Sequence, residues 1–420
     1  MATLNVLDFG AIGDANHYNE TDGKYYKDLV FTQLPTDNTG AFRQALLSAS
    51  GHTLYIPSGR YMILGTLEVP SNTVIEGDGM ELTHIYVGDG NVLDSIPFRD
   101  GTVKPIVITK SGSSNIQFRR FKLTGNWNLV DYESWGVAGI LIKDTSVVKV
   151  IEVDVSWINM RRTLISSHQG WTITSTYADD VEYYKCRSEY GGYQNFGFFD
   201  FTTKGLMHEC FSGMGRRTST QVHRGCDDIV IRNNKIIQPK SVFVQEPHAA
   251  LTVHGEDTEE AKNITIENNE IYVDEAYKAS VQAFRESENL IVRGNKIYSN
   301  AQGVDIGDAD NALVEDNRIV AVNEPYPDGD LHLGKYGVSL TLGTKNSTVR
   351  NNEIVGFDQM VYKDSTIGNS NDIYGNKDQI VSGIRKINLY VKQQGEVLRA
   401  DSYAKDAGRV SKVDMYVNKP

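Results

Sequence analysis

The stretch IVIRNNKI (229–236) returns as ITIENNEI (264–271), LIVRGNKI (290–297), ALVEDNRI (312–319), STVRNNEI (347–354) and NDIYGNKD (371–378). Alternating apolar residues lead each time into an asparagine. The aligned positions are Asn234, Asn269, Asn295, Asn317, Asn352 and Asn376, spaced 35, 26, 22, 35 and 24 residues apart. The register runs backwards with other side chains in the asparagine slot: Cys210, Cys186, Val153 and Phe121. A repeat of this length, made of short β-type segments with no helical pattern between them, is one structural unit per turn. One such unit cannot bury its own apolar face, so the turns must stack.

The stack that satisfies every backbone group is a parallel β-helix with rungs about 4.8 Å apart. An inward asparagine at a bend between two strands can donate to the next rung and form a ladder of amides. It also tolerates the left-handed backbone expected at that bend. Cys186 and Cys210 read as small buried substitutes on the same stack. Hairpin signals at the spacing of an antiparallel sandwich are not found.

Composition narrows the possibilities. The 420 residues carry a net charge of −12 with no basic face or tail, which argues against a nucleic-acid partner. With 22 Tyr and 14 Phe the chain has ample material for a core, against disorder. No apolar run of membrane-spanning length occurs, so no membrane partner is expected. The first residues show no secretory signal pattern. Three cysteines, Cys186, Cys210 and Cys226, are too few and irregular for a disulfide framework. No cofactor and no metal site are expected.

Three regions are anticipated: a cap with the first strands (1–60), the asparagine-laddered helix (61–376), and a C-terminal cap or attachment segment (377–420). Within the first, DNTGAFRQALLSAS (37–50) reads as a short helix. Asp37 or Thr39 is its cap, and Phe42, Ala45, Leu46 and Ala49 form its apolar stripe. Residues 14–36 read as a loop.

The opening carries a resemblance. NVLDFGAIGD (5–14), DNTGAF (37–42), TLYIPSGRY (53–61) and VIEGDG (74–79) are similar to the pectate-lyase-like superfamily of right-handed parallel β-helices. The likeness is strongest to bacteriophage tailspikes and polysaccharide depolymerases, and it extends through the asparagine rungs. It implies an all-β, single-stranded right-handed parallel β-helix with a short N-terminal capping helix. It also implies a polysaccharide-degrading enzyme acting on a bacterial capsule, exopolysaccharide or wall glycan, a homotrimer, and a virion-surface or extracellular location. The fold hosts hydrolysis, elimination and epimerisation alike. Clean copies of the aspartate motifs of polygalacturonase-type hydrolases are absent. NFGFFD (195–200) is only loosely similar to the alginate-epimerase motif, so that activity is not carried over.

Aligning the strand of each rung gives candidate residues. With Phe199, Val222, Val253, Phe284, Ile306 and Leu340 inward, the next residues form an outward column: Asp200, His223, His254, Arg285, Gly307 and Thr341. Imidazoles exchange protons near neutral pH, and a guanidinium holds a carboxylate, so this row suits elimination on a uronate polymer. Hydrolysis needs two carboxylates. Asp305 and Asp308, with Glu286 one rung before, are the best cluster and are slightly favoured; the same acids suit Ca²⁺ as an alternative. Glu246, His248, Tyr193, Lys335 and Tyr336 are candidate substrate-binding residues, from the QEPH loop (245–248), a Gly-Gly flank and the insertion 323–336. The rival class is a non-catalytic carbohydrate-binding or virion-attachment module.

Overall fold

The computed structural model describes residues 2–19, 21, 24–99, 101–125, 136–158, 170–238, 249–256, 258–273, 279–300, 302–322, 336–368 and 370–377. For the backbone alone it also describes 378, 387–390, 398–406 and 409–417. The chain divides into two compact units, Met1–Phe211 and Ser212–Pro420. Each is built of parallel strands wound into rungs, and the protein is a right-handed parallel β-helix.

In the first unit, Thr3–Asn5 pairs with Thr53–Ile56, which pairs with Val74–Gly77, all parallel. The long strands Val137–Ile151 and Gly170–Tyr184 pair in register, and each serves two faces of its rung. Helix α1 (Thr39–Leu47) caps this unit, burying Phe42, Ala45 and Leu46. Phe42 meets Tyr61 edge-on at 5.9 Å between ring centroids. The start of α1 is fixed by Asp37, whose carboxylate accepts from the backbone N–H and hydroxyl of Thr39. Asn38, fully buried, donates to Ile12, Thr36 and Met62 carbonyls. Residues 14–36, expected as a loop, contain an antiparallel hairpin, His17–Asn19 with Lys24–Tyr26. Its Tyr25 lies against His84 and Tyr86.

The second unit shows the rung plan plainly. Strands Thr218–His223, Ala249–His254, Ala279–Phe284, Gln302–Gly307, Tyr336–Thr341 and Gln359–Lys363 form its first face. The second face holds Asp227–Arg232, Ala261–Glu267, Ile291–Arg293, Leu313–Glu315, Thr348–Arg350 and Asp372–Tyr374. Lys235–Gln238, Glu270–Val273, Lys296–Ser299, Arg318–Ala321 and Glu353–Val355 make the third. Beyond the last rung, Ile387–Tyr390, Leu398–Asp406 and Arg409–Val417 are antiparallel.

The asparagine ladder runs unbroken from Asn234 to Asn376. Each Oδ1 accepts the backbone N–H and the side-chain amide of the preceding asparagine, at 2.9–3.0 Å. Each Nδ2 from Asn269 onward also donates to a carbonyl one rung back, as Asn295 does to Ile266 at 2.9 Å. The bend itself is made by the residue before. Asn233, Asn268, Asp316 and Asn351 have φ between 54° and 56°, and Gly294 and Gly375 complete the set. The ladder asparagines are therefore not the left-handed residues, contrary to the expectation above. In the first unit Cys186 donates its thiol to the Val150 carbonyl at 3.1 Å, and Cys210 to Tyr183 at 3.3 Å. These carbonyls lie three residues before the previous slot, the relation that Ile266 has to Asn269, so the cysteines make the ladder's backward bond.

Between the first and second faces the corner length varies. Ala283 and Ile306 are paired neighbours, and so are the residues flanking Leu290 and Ala312. The chain from Ala283 to Leu290 thus holds one residue more than that from Ile306 to Ala312. Besides the matched left-handed pair Asn289 and Asn311, the longer corner carries two consecutive left-handed residues, Arg285 and Glu286, where the shorter one has only Asp308.

Candidate functional site

The first face of the second unit carries the polar chemistry. Val222, Val253, Ala283, Ile306 and Leu340 stack inward and are fully buried. Alternation sends their neighbours outward. One row pointing away from the inner stack is Gln221, Thr252, Gln282, Asp305 and Ser339, in register from rung to rung; all are buried except Asp305, which is half-buried. The row beside it is His223, His254, Phe284, with Gly307 and Thr341 in the later rungs.

This corrects the expected column at one rung. Ala283, not Phe284, pairs with Val253, so Phe284 stands beside His254 and Arg285 falls one position further, at the corner. Phe284 stacks its ring on His254, centroids 4.2 Å apart and planes 18° apart. His223 meets His254 edge-on at 4.8 Å.

Asp305 is the centre of the first row. Gln282 Nε2 donates to its Oδ2 at 3.1 Å, and Ser339 Oγ approaches its Oδ1 at 2.7 Å. Thr341 Oγ1 adds a longer contact of 3.4 Å. Ser339 Oγ is also 2.7 Å from Gln302 Oε1. One hydroxyl proton serves one of the two. Gly307, two residues on, places no side chain beside the carboxylate. Asp308 and Glu286 sit on adjacent rungs at the corner, both left-handed; the Asp308 carbonyl accepts from Ser287 N–H.

A second group forms where the row turns the corner. His223 Nε2 lies 3.5 Å from Glu256 Oε2, and Arg285 reaches the other oxygen of Glu256 at 3.9 Å. The His223 side chain is only 5% exposed, whereas that of Arg285 is 62% exposed. Glu256 was not anticipated from the sequence, nor was Gln282. The spacing His254-Gly255-Glu256 was the available signal, because residues two apart on a strand face the same way. Gly255 is required there: a Cβ would meet the carbonyl oxygens of Arg285 and Glu286 at 2.2 and 2.3 Å.

The remaining candidates separate. Asp200 belongs to the first unit and is fully buried, with Arg99 Nε 3.7 Å from its carboxylate, so it is not a solvent-facing member of a row. Tyr193 packs against a cluster of Phe98, Val103, Ile108, Ala138, Leu141 and Trp171, which marks it as an apolar contact in the first unit. Tyr336 stacks on Tyr362 at 4.4 Å in the second unit. Glu246, His248 and Lys335 lie outside the described residues.

Comparison with known proteins agrees with this architecture. Residues 225–378 match the family model for a right handed beta helix region. A stretch of 139 residues, 32% of the chain, is 30% identical to the pre-neck appendage protein of Bacillus phage B103 and covers 13% of that protein's length. Among solved structures, the Dettilon tailspike protein superposes with a TM-score of 0.63 at 13% identity, over 86% of this chain and 68% of that one. The family 28 exopolygalacturonase of Yersinia enterocolitica does so with a TM-score of 0.62 at 12% identity, over 91% and 79%. The chain has the right-handed parallel β-helix fold that these tailspike and exopolygalacturonase structures share.

Proposed function

We propose that this chain is a virion-appendage protein that cleaves a bacterial cell-surface polysaccharide along the first face of its second unit. The observation that carries this reading is the in-register polar row Gln221, Thr252, Gln282, Asp305 and Ser339, in which Asp305 is the half-buried, accessible member. Four rung steps make it roughly 19 Å long. Amides and hydroxyls that both donate and accept, with the acceptor Asp305 among them along a straight line, suit the hydroxyls of a linear sugar chain. The match to a phage appendage protein and the likeness to a tailspike and a polygalacturonase support a polysaccharide ligand and a place on the virion surface. By the same analogy the working form is a homotrimer.

Hydrolysis is the reaction we favour. Asp305 is the one carboxylate set within the row, with Gln282 and Ser339 fixing its orientation. Glu286 and Asp308 flank it at the corner as the candidate second carboxylate. Elimination is favoured by a different observation, the His223–Glu256–Arg285 contacts, which place an imidazole and an exposed guanidinium together. Incubation with acidic and neutral capsule, exopolysaccharide and wall glycans separates the readings. New reducing ends without ultraviolet absorbance of an unsaturated uronate support hydrolysis. Both signals together mean elimination. Binding without either signal means a carbohydrate-attachment module.

A further inference from the structure

We propose that His223, His254 and Glu256 form a binding site for a divalent transition metal ion of the zinc class. One ligand atom from each residue lies within 4.8 Å of the others. Zinc bonds of 2.0–2.2 Å to nitrogen and oxygen give a tetrahedral edge of about 3.3 Å. The 3.5 Å between His223 Nε2 and Glu256 Oε2 is already close to that edge. The remaining separation, up to 4.8 Å, must close through the Glu256 and His223 side-chain torsions, with the His254 ring kept in its plane.

The frame around the three residues is rigid. His223 and His254 are register partners on adjacent rungs, so the backbone ladder sets their separation. The His254 ring lies flat against Phe284, which fixes its plane. Glu256 is held by reciprocal backbone bonds with Glu259, at 3.2 and 3.0 Å, and by the close-packed Gly255. Two imidazoles and one carboxylate suit zinc, cobalt or nickel. Calcium takes six to eight oxygens, and this cluster offers one carboxylate.

Arg285 is the competitor. Its guanidinium sits 3.9 Å from the Glu256 oxygen that does not face His223. A bound cation and that guanidinium repel, and the exposed arginine swings into solvent at little cost. Metal binding and the Arg285–Glu256 pair therefore oppose one another. The inference goes beyond the polysaccharide reading and does not need it, since it is tested with metal alone.

The experiment titrates the full chain with Zn²⁺ by calorimetry and with Co²⁺ by visible absorption. One ion per chain and the intense bands of a low-coordinate Co²⁺ site are expected. His223→Ala, His254→Ala and Glu256→Gln should each weaken zinc at least about tenfold. Arg285→Ala should tighten it. Asp308→Asn, outside the cluster, should leave it unchanged. Far-UV circular dichroism and the metal-free melting temperature of Glu256→Gln establish that this near-isosteric variant is folded. Absence of saturable zinc binding by the unmodified chain overturns the proposal. So does unchanged binding in folded Glu256→Gln, weaker binding in Arg285→Ala, or equal loss in Asp308→Asn.

Discussion

Asn295 accepts two hydrogen bonds on one oxygen from Asn269, from its backbone N–H at 2.9 Å and its side-chain amide at 3.0 Å. Asn295 in turn donates to Asn317 and to the Ile266 carbonyl, so one buried side chain serves three rungs. Asn295→Ala leaves several buried donors and acceptors without partners. Each such group costs about 1–3 kcal/mol, so a loss of roughly 3 kcal/mol or more is expected. Asn376 ends the ladder and is only half-buried. Denaturant unfolding should show Asn376→Ala costing clearly less; equal costs would mean the ladder does not act as a buried unit.

Asp305→Asn keeps the shape of the side chain and can still bond Ser339, but it removes the charge and the titratable oxygen. If Asp305 acts as an acid or base, turnover should fall by about 10²–10⁴-fold with polymer binding retained. Ser339→Ala, which only loosens Asp305, should cost far less. Steady-state rates beside a binding isotherm decide it, and full activity in Asp305→Asn would move the reaction to the His223 corner.

His84 is buried in the first unit and bonds Thr124 at 2.8 Å. Burial holds its imidazole well below the usual value of 6.5, with the positive charges of Lys122 and Arg60 adding to the effect. The folded state therefore prefers neutral His84. Its contribution to stability is complete above about pH 6.5 and is lost as pH falls through the lowered folded value. His84→Gln should flatten the fall of the unfolding midpoint with acid over that window. An unaltered slope would show that His84 does not report on folding.

All three cysteines are buried and none is in a disulfide. Burial raises the Cys210 thiol well above its usual range, and its contact with Cys186 adds to this. A thiol that stays protonated is a poor nucleophile. A thiol reagent should label none of the three in the native protein and all three after denaturation. Fast native labelling would mean that the rungs open locally.

The fold was legible because the inner stack repeats chemically. Asn234 through Asn376 mark the same bend on successive rungs, whatever lies between them. The left-handed residue is the one before each ladder asparagine, Asn268 or Asp316 for example, and two polar residues in a row do not say which of them turns. The strand 279–284 was set one residue out because Ala283 and Phe284 are both apolar and size favoured the phenylalanine as the buried one. Phe284 instead has His254 as a platform outside, and Ala283 fits between Val253 and Ile306. Asp200 was placed on an outer row by alternation, but it stands at a turn with φ of 26° and faces Arg99 from a distant hairpin. Glu256 is hard to read from the sequence because it lies beyond the end of the strand Ala249–His254, after the close-packed Gly255.

The extra residue at the Arg285–Glu286 corner bears on how such a chain changes over generations. Interior positions on either side of it stay matched to their neighbours, so the corner absorbs a difference in length that would shift every side chain in an ordinary strand. Corners of this kind are places where single-residue gains and losses are tolerated. New charges, such as those of Arg285 and Glu286, can be tried beside the polar row there while the interior is left as it was. The rim is free to diversify on a backbone that stays the same.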